Sequence, residues 1–359
     1  MNWKLVHLLD RISRYMTPAF LLKELRHAAG KNTGLSTLNF SFTSRCSADC
    51  IFCPSCRGNS SHTSFMPKKL LKKILDEIVS ASFRHCHNLR IISVGENGDL
   101  FTHPDYLSFL RLIRQTLPGI KIVCYTNFLQ LTPDRIDTIL KEKLLDFIGC
   151  NIDAINPDRY RTIKRGDYYS ARNNLDYFLF KRRKLWCNVP IHVSALTLYD
   201  YITAIQSSFG RLPSKLPHGE FLNEPIEDDF EDIYQELRPQ LDHPKDKILR
   251  TPPIAWAERG SAGDVKLPDN RYTCPQIGRI EKEAFIAPDG TWYACCWDSK
   301  YELALGNLYV QSLQEIHASE IRQDLILKLK QRRFSSIGSP CRTVNCCQPL
   351  IPGIQARHD

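Results

Sequence analysis

The sequence predicts an α/β protein: a partial (β/α)6 barrel with N-terminal helices ahead of it and a small, Cys-rich α+β domain behind it. Three observations carry this reading. From residue 37 to residue 196, strand-like apolar runs alternate with amphipathic helical stretches. Residues 261–359 lose that alternation and gather cysteines around an Asp-Gly turn. The cysteines fall mainly into two sets, one directly after the first strand and one in the tail. Strands alternating with helices of this length imply a parallel sheet with right-handed crossovers. Ligand sites in such folds lie at the carboxyl ends of the strands.

Taken in order, residues 1–36 read as helical. Trp3, Leu5, Val6, Leu9, Ile12 and Tyr15 fall near helical spacing with Lys and Arg between them. Thr17-Pro18 restarts the pattern and Gly30 is a C-terminal stop. The plainer role is a helix packed on the main domain. The other is weak contact with a membrane surface by a basic amphipathic face. Residues 37–260 form the barrel. The expected strands are Leu38–Thr43, Leu89–Val94, Ile120–Tyr125, Phe147–Ile152 and Val189–Leu196. The expected helices are Pro67–Ser82, Tyr106–Thr116, Pro133–Glu142 and Ser170–Lys184. Residues 207–253 are punctuated by prolines and read as a connection with one short helix. The segment Ala255–Gly260 reads as the end of a sixth strand. In the tail, apolar runs on either side of Pro288-Asp289-Gly290 read as a hairpin, followed by a helix over Ser312–Lys330.

Composition bounds the rest. At 359 residues, with 43% hydrophobic and 24% charged residues, the chain can bury a substantial core. It has no apolar run of membrane-spanning length, and Arg11, Arg14 and Lys23 interrupt any signal-like region. A cytoplasmic location is the expectation. There, 14 cysteines argue for metal rather than disulfides. The net charge of +9 is moderate and reads as a solvated surface, without specific nucleic-acid binding.

The first cysteine set is Cys46-Ser-Ala-Asp-Cys50-Ile-Phe-Cys53. Three sulfurs on so short a loop can hold three corners of a cube-shaped cluster. A [4Fe–4S] cluster usually takes about four cysteines, so one iron is left for another ligand. A zinc loop is the alternative, although zinc sites favour paired C-x2-C units. Cys56 adds a second C-x2-C and is either a bystander or a competing ligand.

The C-x3-C-x2-C spacing resembles the loop of the radical SAM superfamily. The resemblance implies that Cys46, Cys50 and Cys53 hold a [4Fe–4S] cluster. Its open iron binds S-adenosylmethionine (SAM), and one electron then releases a 5′-deoxyadenosyl radical. Further stretches carry the resemblance. Gly98-Asp99-Leu100, followed by His103-Pro-Asp105, resembles Gly-Glu-Pro followed by His-Pro-Asp. Asp99 then faces the methionine amino group, with Glu96 as the competing carboxylate. Thr126-Asn127-Phe128 resembles Thr-Asn-Gly, and Asn151-Ile-Asp153 resembles Ser-Ile-Asp. Both place polar groups near the ribose, and Phe52 is expected near the adenine. Ser194, two residues after His192 on the fifth strand, is placed to face the same pocket.

The tail stretch Asp289–Asp298, with Leu305-Gly-Asn-Leu308, resembles SPASM and the shorter twitch domains. It implies one auxiliary [4Fe–4S] cluster on Cys274, Cys295, Cys341 and either Cys346 or Cys347, with Cys347 taken here. Cys296 is adjacent to Cys295 and is read as a spare. A zinc site on the same ligands is the alternative. Cys86, Cys124, Cys150 and Cys187 are read as core residues.

The implied activity is hydrogen abstraction giving oxidation or epimerisation of a small molecule such as a sugar or aminocyclitol. Peptide modification is the runner-up, and a non-catalytic Fe–S or zinc protein that binds nucleic acid or a membrane surface is a reading of another class. The resemblance further implies an external electron donor of the flavodoxin or ferredoxin kind. Glu258 and Arg259 are the expected proton-handling residues beside the substrate. Asp298 is a weaker candidate.

Overall fold

In a computed structural model, the described residues are 34–50, 53, 65–80, 88–196, 229–251, 272–274, 276–298, 300–338, 341 and 348–349. The predicted strands appear as β1 (Thr37–Phe40), β2 (Ile91–Val94), β3 (Lys121–Thr126), β4 (Phe147–Asn151) and β5 (Ile191–Leu196). Each pairs in parallel with the next. Between them run α1 (Lys68–Val79), α2 (Tyr106–Thr116), α3 (Pro133–Lys141), α4 (Pro157–Lys164) and α5 (Tyr168–Lys184). Successive strand side chains point to opposite faces, and here the two faces differ. Ile92, Val94, Ile122, Cys124, Ile148, Cys150, Ile191 and Val193 are fully buried. They share one core with Leu71 and Ile74 of α1, Phe109 and Ile113 of α2, Ile139 of α3 and Leu175 of α5. The opposite face carries Asn39, Ser93, Tyr125, Asn151, His192 and Ser194. Parallel sheets are usually apolar on both faces. A polar second face marks the lumen of an open barrel.

Three elements depart from the sequence reading. Helix α4 was not expected. Asn156 caps it, with Oδ1 accepting from the amides of Asp158 (3.0 Å) and Arg159 (3.1 Å), and Pro157 opens its first turn. Asn-Pro-Asp is a helix start in sequence as well. A strand beside β5 is β6 (Lys247–Thr251), parallel to it and inside the stretch read as a connection, while Ala255–Gly260 lie outside the described residues. It follows α6 (Phe230–Leu237). Its start is fixed by Asp246, which accepts from Ile191 N at 2.8 Å and pairs with buried Arg182 of α5. Surrounding prolines hid it. The helix over Ser312–Lys330 is two, α8 (Leu313–Ala318) and α9 (Glu320–Lys330). Ser319 ends the first and caps the second, accepting from Arg322 N.

The hairpin is present as β8 (Glu283–Ile286) and β9 (Thr291–Tyr293), with Gly290 at φ +79°. It does not form a sheet of its own. β8 lies parallel to β1, and β10 (Ala304–Asn307) continues past β9. One nine-stranded sheet results, in the order β10-β9-β8-β1-β2-β3-β4-β5-β6. A short helix, α7 (Ile277–Lys282), leads into β8. A separate pair joins β7 (Tyr272–Thr273) to β11 (Gln348–Pro349). The expected N-terminal helices lie outside the described residues, as do Phe52, Glu258, Arg259, Cys346 and Cys347. Among the described residues no helix is long and apolar enough to cross a membrane.

Candidate active site

The Cys loop leaves the sheet where β1 ends, at the carboxyl edge. Cys50 is 6% exposed, while Cys46 and Cys53 are half-buried. The amide of Cys53 donates to the carbonyl of Cys50 at 3.0 Å. Asn127, from the end of β3, reaches across to the loop. Its Nδ2 donates to Cys46 Sγ at 3.4 Å, and its Oδ1 accepts from Ser47 Oγ at 3.2 Å.

The end of β2 is locked against the start of the loop. Asp99 N donates to Arg45 O at 2.8 Å. Gly98 has φ +133°, and a Cβ there would lie 2.2 Å from Thr43 O. Only glycine accepts both that conformation and that closeness. Asp99 is 2% exposed, and its carboxylate is engaged. Oδ1 accepts from Phe101 N at 2.9 Å, and Oδ2 accepts from Thr126 Oγ1 at 2.9 Å and Asn127 N at 3.3 Å. Burial pushes the carboxyl's pKa up, and these hydrogen bonds pull it back. Asp99 therefore ties β2 to β3. His103 is structural: Nδ1 accepts from Asp105 N at 3.0 Å, and Nε2 lies 3.2 Å from Met66 O.

Beyond β4 lies a buried ion pair that the sequence reading did not single out. Lys164 Nζ is 2.6 Å from Asp153 Oδ2, with the two residues 2% and 4% exposed. The backbone of Lys164 also holds the loop, its carbonyl accepting from Asp49 N at 3.1 Å. Arg165 pairs with Asp49 at 3.1 Å. Burial pushes the Cys50 thiol up to about 12, and the Lys164 charge opposes that shift. Burial disfavours the Lys164 ammonium, yet Asp153 and Cys50 outweigh it and hold its pKa well above the ordinary lysine value. Asn151 and Ser194 are register partners on the lumen face. A surface cavity of about 520 Å³ opens beside Arg161, Arg165 and Tyr169, and Arg165 also pairs with Asp49 of the loop.

The donor set fits an iron–sulfur cluster. It offers three thiols, with a side-chain amide directed at one sulfur and a buried cation near another. Hydrogen bonds to sulfur and nearby charge are levers that tune such clusters. Among the described residues, no three His, Cys, Asp or Glu side chains are grouped to hold a metal ion. A cluster spreads its cysteines over separate iron corners instead.

A second polar group lies toward the C-terminal strands. Arg279, on α7, forks onto Glu283, with Nε 3.0 Å from Oε1, and donates from Nη1 to Cys296 Sγ at 3.1 Å. Asn39 of β1 donates to Glu283 Oε2 at 2.9 Å. Glu96 accepts from Ser93 Oγ at 2.8 Å. The Arg279–Glu283 pair at i,i+4 was legible as a helix-end pair, but its approach to the barrel was not. Cys274, Cys295 and Cys341 are each buried. Cys274 follows β7, and Gln348 of β11, next in sequence after Cys347, pairs with Thr273. Asp298 is fully buried and accepts from the amides of Glu302 and Leu303, both at 2.9 Å. It shapes the turn after the cysteine pair.

Residues 40–179 match the radical SAM superfamily, and residues 274–347 match SPASM, an iron–sulfur cluster-binding domain. No curated protein matches the sequence. The fold is similar to that of BtrN in complex with AdoMet and 2-DOIA, at 14% identity and TM-score 0.54, over 87% of this chain and 92% of that one. It is also similar to Streptococcus suis SuiB bound to precursor peptide SuiA, at 12% identity and TM-score 0.55, over 92% and 82%. A third likeness is anSMEcpe with bound AdoMet, at 13% identity and TM-score 0.50, over 82% and 80%. The cofactors that follow are SAM, the [4Fe–4S] cluster that binds it, and auxiliary iron–sulfur in the tail. Two domain matches, beginning at β1 and at Cys274 and in the order the cysteine sets foretold, make this chain a radical SAM superfamily member with a C-terminal SPASM domain.

Proposed function

We propose that the chain is an enzyme that abstracts hydrogen from a small polar molecule, such as a sugar or aminocyclitol, and oxidises it. The observation that carries this is the polar, partly charged inner face of the barrel: Asn39, Ser93, Glu96, Tyr125, Asn151, His192 and Ser194, with Arg279 and Glu283 beside them. When bound, the cluster and SAM supply a 5′-deoxyadenosyl radical. The chain's own part is to hold and shield. Asn127 and Lys164 steady the cysteines, Asn151 and Ser194 offer partners to a ribose, and the inner face orients a hydroxyl-rich substrate. The likeness to BtrN, whose structure holds 2-DOIA, agrees with this reading.

We assign the barrel to residues 37–260 and the auxiliary domain to 261–359. That domain would hold one cluster, on Cys274, Cys295, Cys341 and Cys347, and the cluster would supply an acceptor for the second electron of the oxidation. The first cluster, on Cys46, Cys50 and Cys53, would need an external one-electron donor of the flavodoxin or ferredoxin kind. The fold likeness to SuiB leaves peptide modification as the second reading. The test is anaerobic reconstitution with iron and sulfide, followed by reduction and SAM. Formation of 5′-deoxyadenosine that disappears in Cys50→Ala is expected. Deuterium transfer from a labelled amino sugar or cyclitol into 5′-deoxyadenosine then identifies the substrate class, and transfer from peptides alone selects the second reading. Equal product from wild type and Cys50→Ala would sink the enzyme reading.

A further inference from the structure

Four stretches far apart in sequence converge on the inner face of the barrel. They are Asn39 on β1, in register with Ser93 on β2 and bonded to Glu283; Glu96 just beyond β2, bonded to Ser93; Tyr125 on β3, the next strand; and Arg279 with Glu283 at the α7–β8 junction. Among the described residues here, the Arg279 guanidinium pairs with Glu283 and acts on Glu96 only at longer range, so two carboxylates stand against one cation. The guanidinium is engaged: Nε and Nη2 bind Glu283, and Nη1 binds Cys296. Glu283 also accepts from Asn39. Glu96, by contrast, has Ser93 Oγ as its hydrogen-bond partner among the described residues.

We propose that Glu96, backed by Ser93 and set beside Tyr125 and the Arg279–Glu283 pair, anchors an ammonium group of the substrate, so that the substrate is an amine-bearing polyol. This rests on the hydrogen-abstraction reading above and names its substrate class. A monocation brings the cluster to neutrality, whereas an anion such as a phosphate or carboxylate adds to the excess. Desolvation pushes the Glu96 carboxyl up, with the Arg279 charge opposing. A docked ammonium supplies further opposition in a medium where charge pairing is strong. The next residue, Asn97, is 2% exposed, and its Oδ1 is a buried acceptor with no partner among the described residues.

Tyr125 supplies the second half of the subsite. Its side chain is 43% exposed in spite of its place in mid-sheet. The ring lies over Gly149, where a Cβ would come within 2.2 Å of it, and meets Phe147 edge-on at 5.8 Å. A ring so fixed offers a flat apolar face. The C–H face of a six-membered polyol packs on such a surface while its amine reaches a carboxylate, in the manner of cation recognition at aromatic sites. Glu96 adds to the upward shift of the Tyr125 phenol, which places the two side chains in one electrostatic neighbourhood.

The test is anaerobic calorimetry on the full-length, cluster-loaded chain with glucosamine, N-acetylglucosamine and glucose. Glucosamine is expected to bind about 10- to 100-fold more tightly than the two neutral sugars, the size of one charge-assisted hydrogen bond. E96Q is expected to bring glucosamine down to their level. The comparison among ligands needs only wild-type protein, so it stands even where a variant misfolds. Equal binding of the three sugars overturns the proposal. So does an E96Q protein that binds glucosamine like wild type while losing SAM, which assigns Glu96 to the methionine amino group. If glucosamine selectivity holds while wild type forms no 5′-deoxyadenosine, the hydrogen-abstraction reading falls and the subsite stands. The opposite pair of results removes only the subsite.

Discussion

Asn127 Nδ2 donates to Cys46 Sγ across 3.4 Å, joining the end of β3 to the first cysteine of the loop after β1. The same side chain accepts from Ser47 through Oδ1, so the amide is oriented from both sides. Hydrogen bonds to cluster sulfurs stabilise the reduced, more negative state. Asn127→Ala is therefore expected to keep the iron and to lower the reduction potential of the SAM-binding cluster. Redox titration followed by electron paramagnetic resonance reads this directly. An unchanged potential would mean that the contact only orders the loop.

The Lys164–Asp153 pair makes a stability prediction. Removing one partner of a buried pair strands a charge and costs about 3–5 kcal/mol. Lys164→Met is expected to destabilise the folded chain on that scale in urea denaturation. Lys164→Met combined with Asp153→Asn should recover much of the loss, because no charge is then buried alone. A double variant no more stable than the single would show that the ammonium serves the Cys50 loop more than it serves Asp153.

How much of this was written in the sequence depends on the range of each relationship. The spacing of Cys46, Cys50 and Cys53 is local and was legible at once. So was the alternation that buries Ile122 and Cys124 while turning Tyr125 the other way. Lys164 was not legible, because its meaning depends on Asp153 and Cys50, which only the fold brings to it. β6 was hidden by neighbouring prolines, and its anchor is Arg182, far earlier in the chain. α4 is a different case. Its Asn156-Pro157-Asp158 start is a local signal, readable without any tertiary contact.

Gly98→Ala is expected to be severe. At φ +133° an added Cβ meets backbone, Thr43 O at 2.2 Å and Arg45 O at 2.9 Å, and neither can swing aside. The shift is forced on the segment that enters the Cys loop. Strained φ alone costs about 1–3 kcal/mol, and the clash adds to it. Reduced iron uptake in reconstitution, at a temperature where the protein remains folded by circular dichroism, is the expected result. Normal uptake would show that the loop can find its geometry without this lock.

Asp137 gives a pH prediction. Lys181 Nζ at 2.8 Å, with Tyr177 Oη at 3.0 Å and Lys141 Nζ at 3.2 Å, lowers its carboxyl to about 2. A folded value below the unfolded one contributes stability that is present above the unfolded pKa, about 3.9. That contribution is lost as pH falls through the interval toward about 2. The pair sits near solvent between α3 and α5, so its size is about 1 kcal/mol or less. Asp137→Asn should lower stability at pH 7, and the gap to wild type should close on acidification. A gap that persists below the folded pKa would point to packing and not charge.

The adjacent pair Cys295 and Cys296 is separated by environment. Cys296 Sγ lies 3.1 Å from Arg279 Nη1, on a guanidinium already forked onto Glu283. Burial pushes its thiol up to about 12, with Arg279 opposing. That sulfur meets the Arg279–Glu283 pair, while Cys295 lies two residues beyond the end of β9. Neighbouring thiols rarely serve the same small cluster, so the two cysteines are assigned different tasks. Cys295→Ala is expected to lose the auxiliary cluster, about four irons per chain, and to keep the iron held by Cys46, Cys50 and Cys53. Cys296→Ala is expected to keep both sets of iron. Its effect should fall on the Arg279–Glu283 pair, seen as weaker glucosamine binding in the calorimetric comparison. Iron and sulfide counts on the two variants decide it, and loss of auxiliary iron from Cys296→Ala alone would exchange the two roles.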